Sequence, residues 1–272
     1  MEINKSTISE IVKKSGIKAN KNLGQNFLIE PEISKKIVEA LDIKPKEKIL
    51  EIGPGLGSLT HYLVKYDNDI EIVDIDSRMT NFLDVMYKDN SNLKIVNEDV
   101  LKVNISDYDK IVSNVPYYIT TELITKSVLK ADKCKKMVFM IQKEAYKRFS
   151  SKVNEDGYSA IGVLISLVGE IKKIMQVSAG AFYPAPPIDS LVFEITFDLT
   201  KKNKTNFETY KLAKSLFLNK RKTILNNLTN LLKNKERSIK ILDELGIDKT
   251  YRPENLSPVD YSNIYLLINS LN

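Results

Sequence analysis

The sequence predicts an α/β protein: a parallel sheet flanked by helices, followed by a small all-α C-terminal domain. Three observations carry this. Short apolar runs alternate with helical periodicity through the first two thirds of the chain. A glycine-rich turn follows the first strong apolar run and opens a helical stretch. From about Thr200 the strand pattern stops and only helical patterns remain. The expected domains are therefore 1–199 and 200–272.

In chain order, strands are predicted over 48–52, 70–75, 93–97, 110–113, 136–141 and 191–197, with helices between them, such as 33–41 and 77–87. Residues 150–158 (SSKVNEDGY) are polar with one glycine and predict a mobile loop near the open edge of the site. Residues 201–206 (KKNKTN) read as a linker, and helices follow over 208–218, 222–234, 236–245 and 258–271. The second of these places Ile224, Leu225, Leu228, Leu231 and Leu232 on one face.

Composition narrows the function classes. With 272 residues, 43% hydrophobic and 28% charged, the chain can bury a large core as an ordinary soluble enzyme does. No apolar run approaches the length of a membrane span, and the N-terminal residues do not form a signal peptide. A single cysteine, Cys134, rules out an internal disulfide framework, and a single histidine, His61, argues against a Cys/His zinc site. His61 reads as a surface helix residue rather than a general base. A reducing cytoplasm and a monomer are expected. The net charge is only +6, but residues 198–240 hold 12 Lys/Arg against three acids, which leaves −3 for the rest. Such asymmetry is the footprint of a polyanion partner. A generally Lys-, Asn- and Ile-rich composition offers the alternative of a solvated face.

Asn114-Val115-Pro116-Tyr117 closes the predicted strand 110–113. An exocyclic amine on a nucleobase is a poor nucleophile because its lone pair is delocalised into the ring. The Asn114 carbonyl and the backbone carbonyl of Val115 or Pro116 can accept both N–H bonds and favour a nitrogen whose lone pair points at an electrophile. Tyr117 offers a flat face for an extruded base. Upstream, Gly53-Pro54-Gly55-Leu56-Gly57 lets the backbone bend sharply ahead of a helix and approach a ligand. Asp74, 21 residues after Gly53 at the end of the next strand, can accept both ribose hydroxyls. Asp99, after the third strand, is placed to accept from an adenine amine. The Gly-x-Gly-x-Gly spacing is tighter than the dinucleotide fingerprint and favours S-adenosyl-L-methionine over NAD.

Five segments recur together in this order: KNLGQNFL (21–28), EIGPGLGSLT (51–60), DID (74–76), NVPYYIT (114–120) and FYPAPPIDS (182–190). On these the sequence resembles the ribosomal RNA adenine dimethyltransferase (kasugamycin-sensitivity) family, over nearly its whole length. The resemblance implies a Rossmann-like S-adenosylmethionine-dependent methyltransferase with a mostly parallel seven-stranded sheet and a small helical RNA-binding domain. It implies dimethylation of the 6-amino groups of two adjacent adenosines near the 3′ end of small-subunit (16S) rRNA, in a pre-30S particle, with a role in subunit biogenesis. It assigns Asn26 and Leu28 to the methionine end of the cofactor, Gly53 and Gly55 to its middle, Asp74 to the ribose and Asp99 to the adenine. It stands Asn114 between cofactor and target, and makes Tyr117 and Phe182 a sandwich around the target adenine. Lys211, Lys214, Lys220, Arg221 and Lys222 would hold RNA phosphates. The family usually carries Glu at the position of Asp74, with Asp76 as the fallback here. Rival readings are a resistance-type methyltransferase acting on large-subunit (23S) rRNA, a DNA adenine methyltransferase and a non-catalytic ribosome assembly factor.

Overall fold

The computed structural model describes residues 2–20 and 23–270; Lys21, Asn22 and Leu271 of the expected segments lie outside the described residues. The chain divides into two compact units, Met1–Ala145 with Lys172–Thr196, and Tyr146–Ile171 with Phe197–Asn272. The boundary expected at 199/200 thus falls at 196/197, and 146–171, expected in the first domain, belongs with the C-terminal helices.

The first unit is built on strands β1 (Phe27–Leu28), β2 (Ile49–Ile52), β3 (Ile70–Asp74), β4 (Leu93–Asn97), β5 (Lys110–Asn114), β6 (Lys136–Gln142), β7 (Gly169–Val177), β8 (Phe182–Tyr183) and β9 (Ser190–Phe197), and on helices α1 (Lys5–Ser15), α2 (Pro31–Ala40), α3 (Thr60–Leu63), α4 (Ser77–Met86) and α5 (Thr120–Lys130). Seven strands form one sheet in the order β4-β3-β2-β5-β6-β9-β7. The pairs from β4 to β6 are parallel and β9 runs antiparallel to β6. The mostly parallel seven-stranded sheet is therefore present. β2 and β3 are buried along their whole length, which is why they read as continuous apolar runs rather than alternating ones.

β7 has no counterpart among the predicted strands. It is an edge strand carrying Glu170, Lys172 and Lys173, the charge usage that keeps an exposed edge from pairing with another chain and that erases the apolar signal. β1 and β8 make a separate two-stranded ribbon, with Phe27 opposite Tyr183 and Leu28 opposite Phe182. Helix starts follow local chemistry: Pro31 opens α2, and the Asp76 carboxylate caps α4 by accepting from the Arg78 N–H.

In the second unit α6 (Lys147–Ser150), α7 (Ala160–Val168), α8 (Lys204–Phe217), α9 (Ile224–Leu232), α10 (Lys235–Glu244) and α11 (Pro258–Ser270) are connected by turns. α7 through α10 begin at Ser159, Asn203, Thr223 and Asn234, each side chain accepting a backbone N–H of its own first turn. The expected linker at 201–206 is thus a cap followed by helix. The expected loop at 150–158 is a tight turn held by Ser151 Oγ on the Asp156 carbonyl (2.7 Å), the Asn154 N–H on the Glu254 carbonyl (3.0 Å) and the Tyr158 hydroxyl on the Leu256 carbonyl (3.0 Å). No helix among the described residues is long and apolar enough to cross a membrane.

Asn227, 4% exposed, donates from its amide to the carbonyls of Asn219, Lys222 and Thr223, each at 3.2 Å, and so pins the turn between α8 and α9. Asn227→Ala leaves those buried carbonyls short of a donor and is expected to cost about 1–3 kcal/mol, measured as a lowered denaturant midpoint. An unchanged midpoint would show that the turn holds itself.

Candidate active site

Strand order places the switch point of the sheet between β2 and β5, since the chain runs outward from β2 through β3 and β4 and then returns to β5. Ile52 lies opposite both Val73 and Ser113, so the next residues along, Gly53, Asp74 and Asn114, share one row; Asp74 in turn faces Asn97. Two adjoining clefts open above this row. One, of about 740 Å³, is lined by Asn26, Leu28, Gly53, Gly55, Asp74, Asn114, Val115, Pro116 and Tyr117 among others. The second, of about 550 Å³, shares Gly53, Asp74 and Pro116 and adds Asp99, Val100 and Leu101.

The glycine turn needs its glycines. Gly55 has φ +55 and a Cβ there would lie 3.2 Å from the Phe27 ring; Gly57 has φ +87 and a Cβ would meet Leu83 at 2.8 Å. The tight turn brings the Gly55 N–H to 3.4 Å from Asp74 Oδ2, while the Asp76 N–H donates to Asp74 Oδ1 at 2.9 Å. Asp74 is only 9% exposed, and burial pushes its carboxyl up to about 6 against the pull of these backbone donors. Asp76 is committed elsewhere: it accepts from Arg78 Nε at 2.9 Å, Arg78 Nη2 at 2.5 Å and Gln25 Nε2 at 2.8 Å, and it lines neither cleft. The fallback role expected for Asp76 is therefore not supported.

The Asn114 amide donates from Nδ2 to the Asn26 carbonyl at 3.2 Å, and Asn26 Nδ2 donates to the Gly24 carbonyl at 3.1 Å. Turning the Asn114 amide over would set two carbonyl oxygens face to face, so Oδ1 is its remaining acceptor. The Pro116 carbonyl already accepts from the Ile119 N–H (3.2 Å) and the Thr120 hydroxyl (3.4 Å). Of the two backbone carbonyls considered, Val115's is the one without such a bond among the described residues. Tyr117 is half-buried and its hydroxyl shares a 3.1 Å hydrogen bond with Ser190, which fixes the ring at the cleft wall.

Phe182 does not stand opposite Tyr117 across the cleft. It is 3% exposed, packed in the same apolar cluster as Leu28, and lines neither cleft. Pairing with β1 turns its side chain inward and leaves Tyr183 exposed on the other face. The expected sandwich is thus not formed in this structure. His61 also lines neither cleft; its ring meets Tyr62 edge-on.

Several cleft residues are not among those expected from the sequence, and three of them stand out. Ile75 and Tyr118 are half-exposed and line both clefts. Glu51, 1% exposed, lines the first cleft from the middle of buried β2 and accepts from the Thr60 hydroxyl at 2.6 Å. An acid inside an otherwise apolar strand, two residues before a glycine turn, was the available signal. In the helical unit Lys211, Lys214, Lys220, Arg221 and Lys222 are all exposed. Lys211 pairs with Glu208 at 2.7 Å, and residues 217–222 frame a concavity of about 660 Å³.

Burial pushes the Glu51 carboxyl from 4.5 up to about 8, opposed by the Thr60 hydroxyl and reinforced by the Asp74 charge. The folded protein holds this proton to higher pH than the unfolded chain does. Its stabilising contribution is complete below about pH 4.5 and is lost as pH rises to about 8. Glu51→Gln is expected to remove on the order of 2–4 kcal/mol of the stability lost between about pH 5 and about pH 8. Parallel stability curves for the two proteins would refute the assignment.

Comparison with known proteins bears on this geometry. A family model described as ribosomal RNA adenine dimethylase matches residues 16–270. A ribosomal RNA small subunit methyltransferase A of Mycoplasma mycoides subsp. mycoides SC is 37% identical over 266 residues, covering 94% of this chain and 100% of the relative. The protein so named from Malacoplasma penetrans is 40% identical over 254 residues, 90% of each chain. Among solved structures, a dimethyladenosine transferase from Plasmodium falciparum superposes with a TM-score of 0.78 at 27% identity, covering 90% of this chain and 98% of that one. The 23S rRNA methyltransferase ErmE, at 20% identity and a TM-score of 0.69 over 90% of this chain and 100% of its own, shares the fold. The chain belongs to the ribosomal RNA adenine dimethylase family.

Proposed function

We propose that this protein transfers methyl groups from S-adenosyl-L-methionine to the 6-amino nitrogens of two adjacent adenosines near the 3′ end of small-subunit rRNA. The observation that carries this reading is Asn114 at the switch point, with its amide N–H spent on Asn26 and its carbonyl left to accept, in one row with Gly53 and Asp74. The names of the relatives supply the small subunit as substrate.

The residues present fit the cofactor. Asp74 and the Gly53–Gly57 turn form a cradle that side chains would fill, and the Asp74 carboxylate would be the acceptor for ribose hydroxyls. Asp99 keeps Oδ2 as an acceptor because its Oδ1 already takes the Leu101 N–H at 2.9 Å. The adjacent Val100 N–H carries no hydrogen bond among the described residues, so the second cleft offers an acceptor and a donor, the pattern that matches the adenine amine and ring nitrogen N1. Asn26 and Leu28 border the first cleft, where the methionine end would lie. When bound, the cofactor supplies a methyl group already activated by a sulfonium leaving group.

The chain's own residues then have to position and polarise the nucleophile. The Asn114 Oδ1 and the Val115 carbonyl accept the two amine hydrogens, so the nitrogen lone pair is held out of the ring plane and the positive charge that develops on the nitrogen meets two oxygens. Positioning of this kind is worth on the order of 7–11 kcal/mol. The amine proton becomes acidic once the nitrogen is alkylated and can leave to water. Extruding the base costs a few kcal/mol, offset by stacking on Tyr117 worth about 1–3 kcal/mol. The helical unit holds RNA phosphates through Lys211, Lys214, Lys220, Arg221 and Lys222, which orients the RNA without reading sequence.

Mapping of methylated nucleotides after reaction with unmodified small subunits tests the reading: two adjacent dimethyladenosines are expected, and incorporation confined to large subunits would replace it. Asn114→Ala is expected to lower methylation by about 100-fold or more while subunit binding persists. Normal methylation by that variant would remove Asn114 from the chemistry. Replacing Lys220, Arg221 and Lys222 together with alanine is expected to reduce the slope of log affinity against log salt by roughly 2–3, since each phosphate contact contributes about 0.7–0.9.

A further inference from the structure

The segment after β4 carries Asp99 and, with Val100 and Leu101, walls the second cleft. Its near end is moored to the sheet: the Asn97 amide and the Glu98 N–H both donate to the Asp74 carbonyl, at 2.9 and 3.1 Å. Its far end is held by one side chain reaching from another element. The Lys126 ammonium, on α5, donates to the Val100 carbonyl at 2.6 Å and to the Val103 carbonyl at 2.7 Å. Hydrogen bonds from a cation to a carbonyl are among the stronger ones, and this pair ties together the two ends of the 100–103 turn that directly follows Asp99. Locally, the Leu101 N–H fixes Asp99 Oδ1 and the Lys102 N–H donates to the Asp99 carbonyl at 2.8 Å. The Asp99 N–H also donates to Glu98 Oε1 at 2.9 Å, so the arc's own bonds are local ones around Asp99, and Lys126 supplies the tie to another element.

We propose that Lys126 is a positioning residue for adenine recognition: its two hydrogen bonds fix the arc that presents the Asp99 carboxylate and the Val100 N–H to the cofactor's base. The inference rests on the cofactor reading given above. Nothing in the family resemblance or in the named relatives assigns this lysine a role. The chemistry is specific because adenine offers a donor at its 6-amino group and an acceptor at N1, whereas hypoxanthine reverses both. A rigid acceptor–donor pair rejects the reversed pattern strongly, since both protein groups are left facing their own kind. An arc that can rotate binds adenine less tightly and also rejects hypoxanthine less, because its groups can turn away from the mismatch. Partial burial lowers the Lys126 pKa while the Asp99 charge opposes that, which agrees with an ammonium held close behind the Asp99 loop.

The test is calorimetric titration of the full chain with S-adenosylhomocysteine and with S-inosylhomocysteine, for the unsubstituted protein, Lys126→Met and Lys126→Arg. Lys126→Met is expected to weaken S-adenosylhomocysteine binding by about tenfold and S-inosylhomocysteine binding by less than about twofold, so that the preference between them narrows. Lys126→Arg is expected to recover most of the preference, because a guanidinium can also donate to two carbonyls. At saturating S-adenosylmethionine, turnover by Lys126→Met is expected within about twofold of the unsubstituted enzyme, the effect lying in affinity. An unchanged preference in Lys126→Met overturns the proposal, whether affinity for both ligands is retained or falls equally with a lowered melting temperature. An unsubstituted protein that binds neither ligand overturns the cofactor reading itself, and with it this role, before any variant is made.

Discussion

The register of three parallel strands, β2, β3 and β5, is the constraint on which the rest depends. Because Ile52 faces Val73 on one side and Ser113 on the other, Gly53, Asp74 and Asn114 come level at the carboxyl edge of the sheet without any contact between their side chains being required. A slip of one residue in any of these pairings would turn the strand's side chains to the opposite face and carry one of the three out of the row. The slip is opposed by burial, since β2 and β3 have no exposed face to offer. The site is therefore as well placed as the core is well packed, and the energy that places it is hydrophobic rather than polar.

Above that row the polar groups are arranged so that few are idle. Asp76 spends itself capping α4 and holding Gln25, which frees Asp74 to face the cleft with two backbone N–H groups behind it. Asn114 and Asn26 each use the amide nitrogen on a nearby carbonyl and so present oxygen. Glu51 lies deeper still, its proton retained by burial and its oxygen bonded to Thr60. Burial disfavours the charged forms of Asp74 and Glu51, and a cation seated beside them would favour ionisation.

Much of this was legible in the sequence, and what was not has identifiable causes. Central strands announce themselves because burial on both faces demands uninterrupted apolar runs; β7 does not, because an edge strand needs its lysines. The run at 160–168 is apolar all round and so carries no period, which hid α7. Lys201–Lys202–Asn203 looks like a linker until Asn203 is seen to cap α8, a role set by a single hydrogen bond to the Asn206 N–H. The glycine turn, Asp74, Asp99 and Asn114 could be located because each ends a recognisable strand. Phe182 could not be oriented that way. Whether it or Tyr183 faces inward is decided by pairing with Phe27 and Leu28, more than 150 positions away, and no local pattern encodes that choice.

That same ribbon has a mechanical consequence. Asn26 directly precedes the two residues of β1, and β8 directly precedes the proline-rich stretch that begins at Pro184, so the ribbon ties the backbone beside Asn26 to the backbone beside Pro184. Neither backbone segment can shift alone without breaking the pairing of Phe27 with Tyr183 or of Leu28 with Phe182.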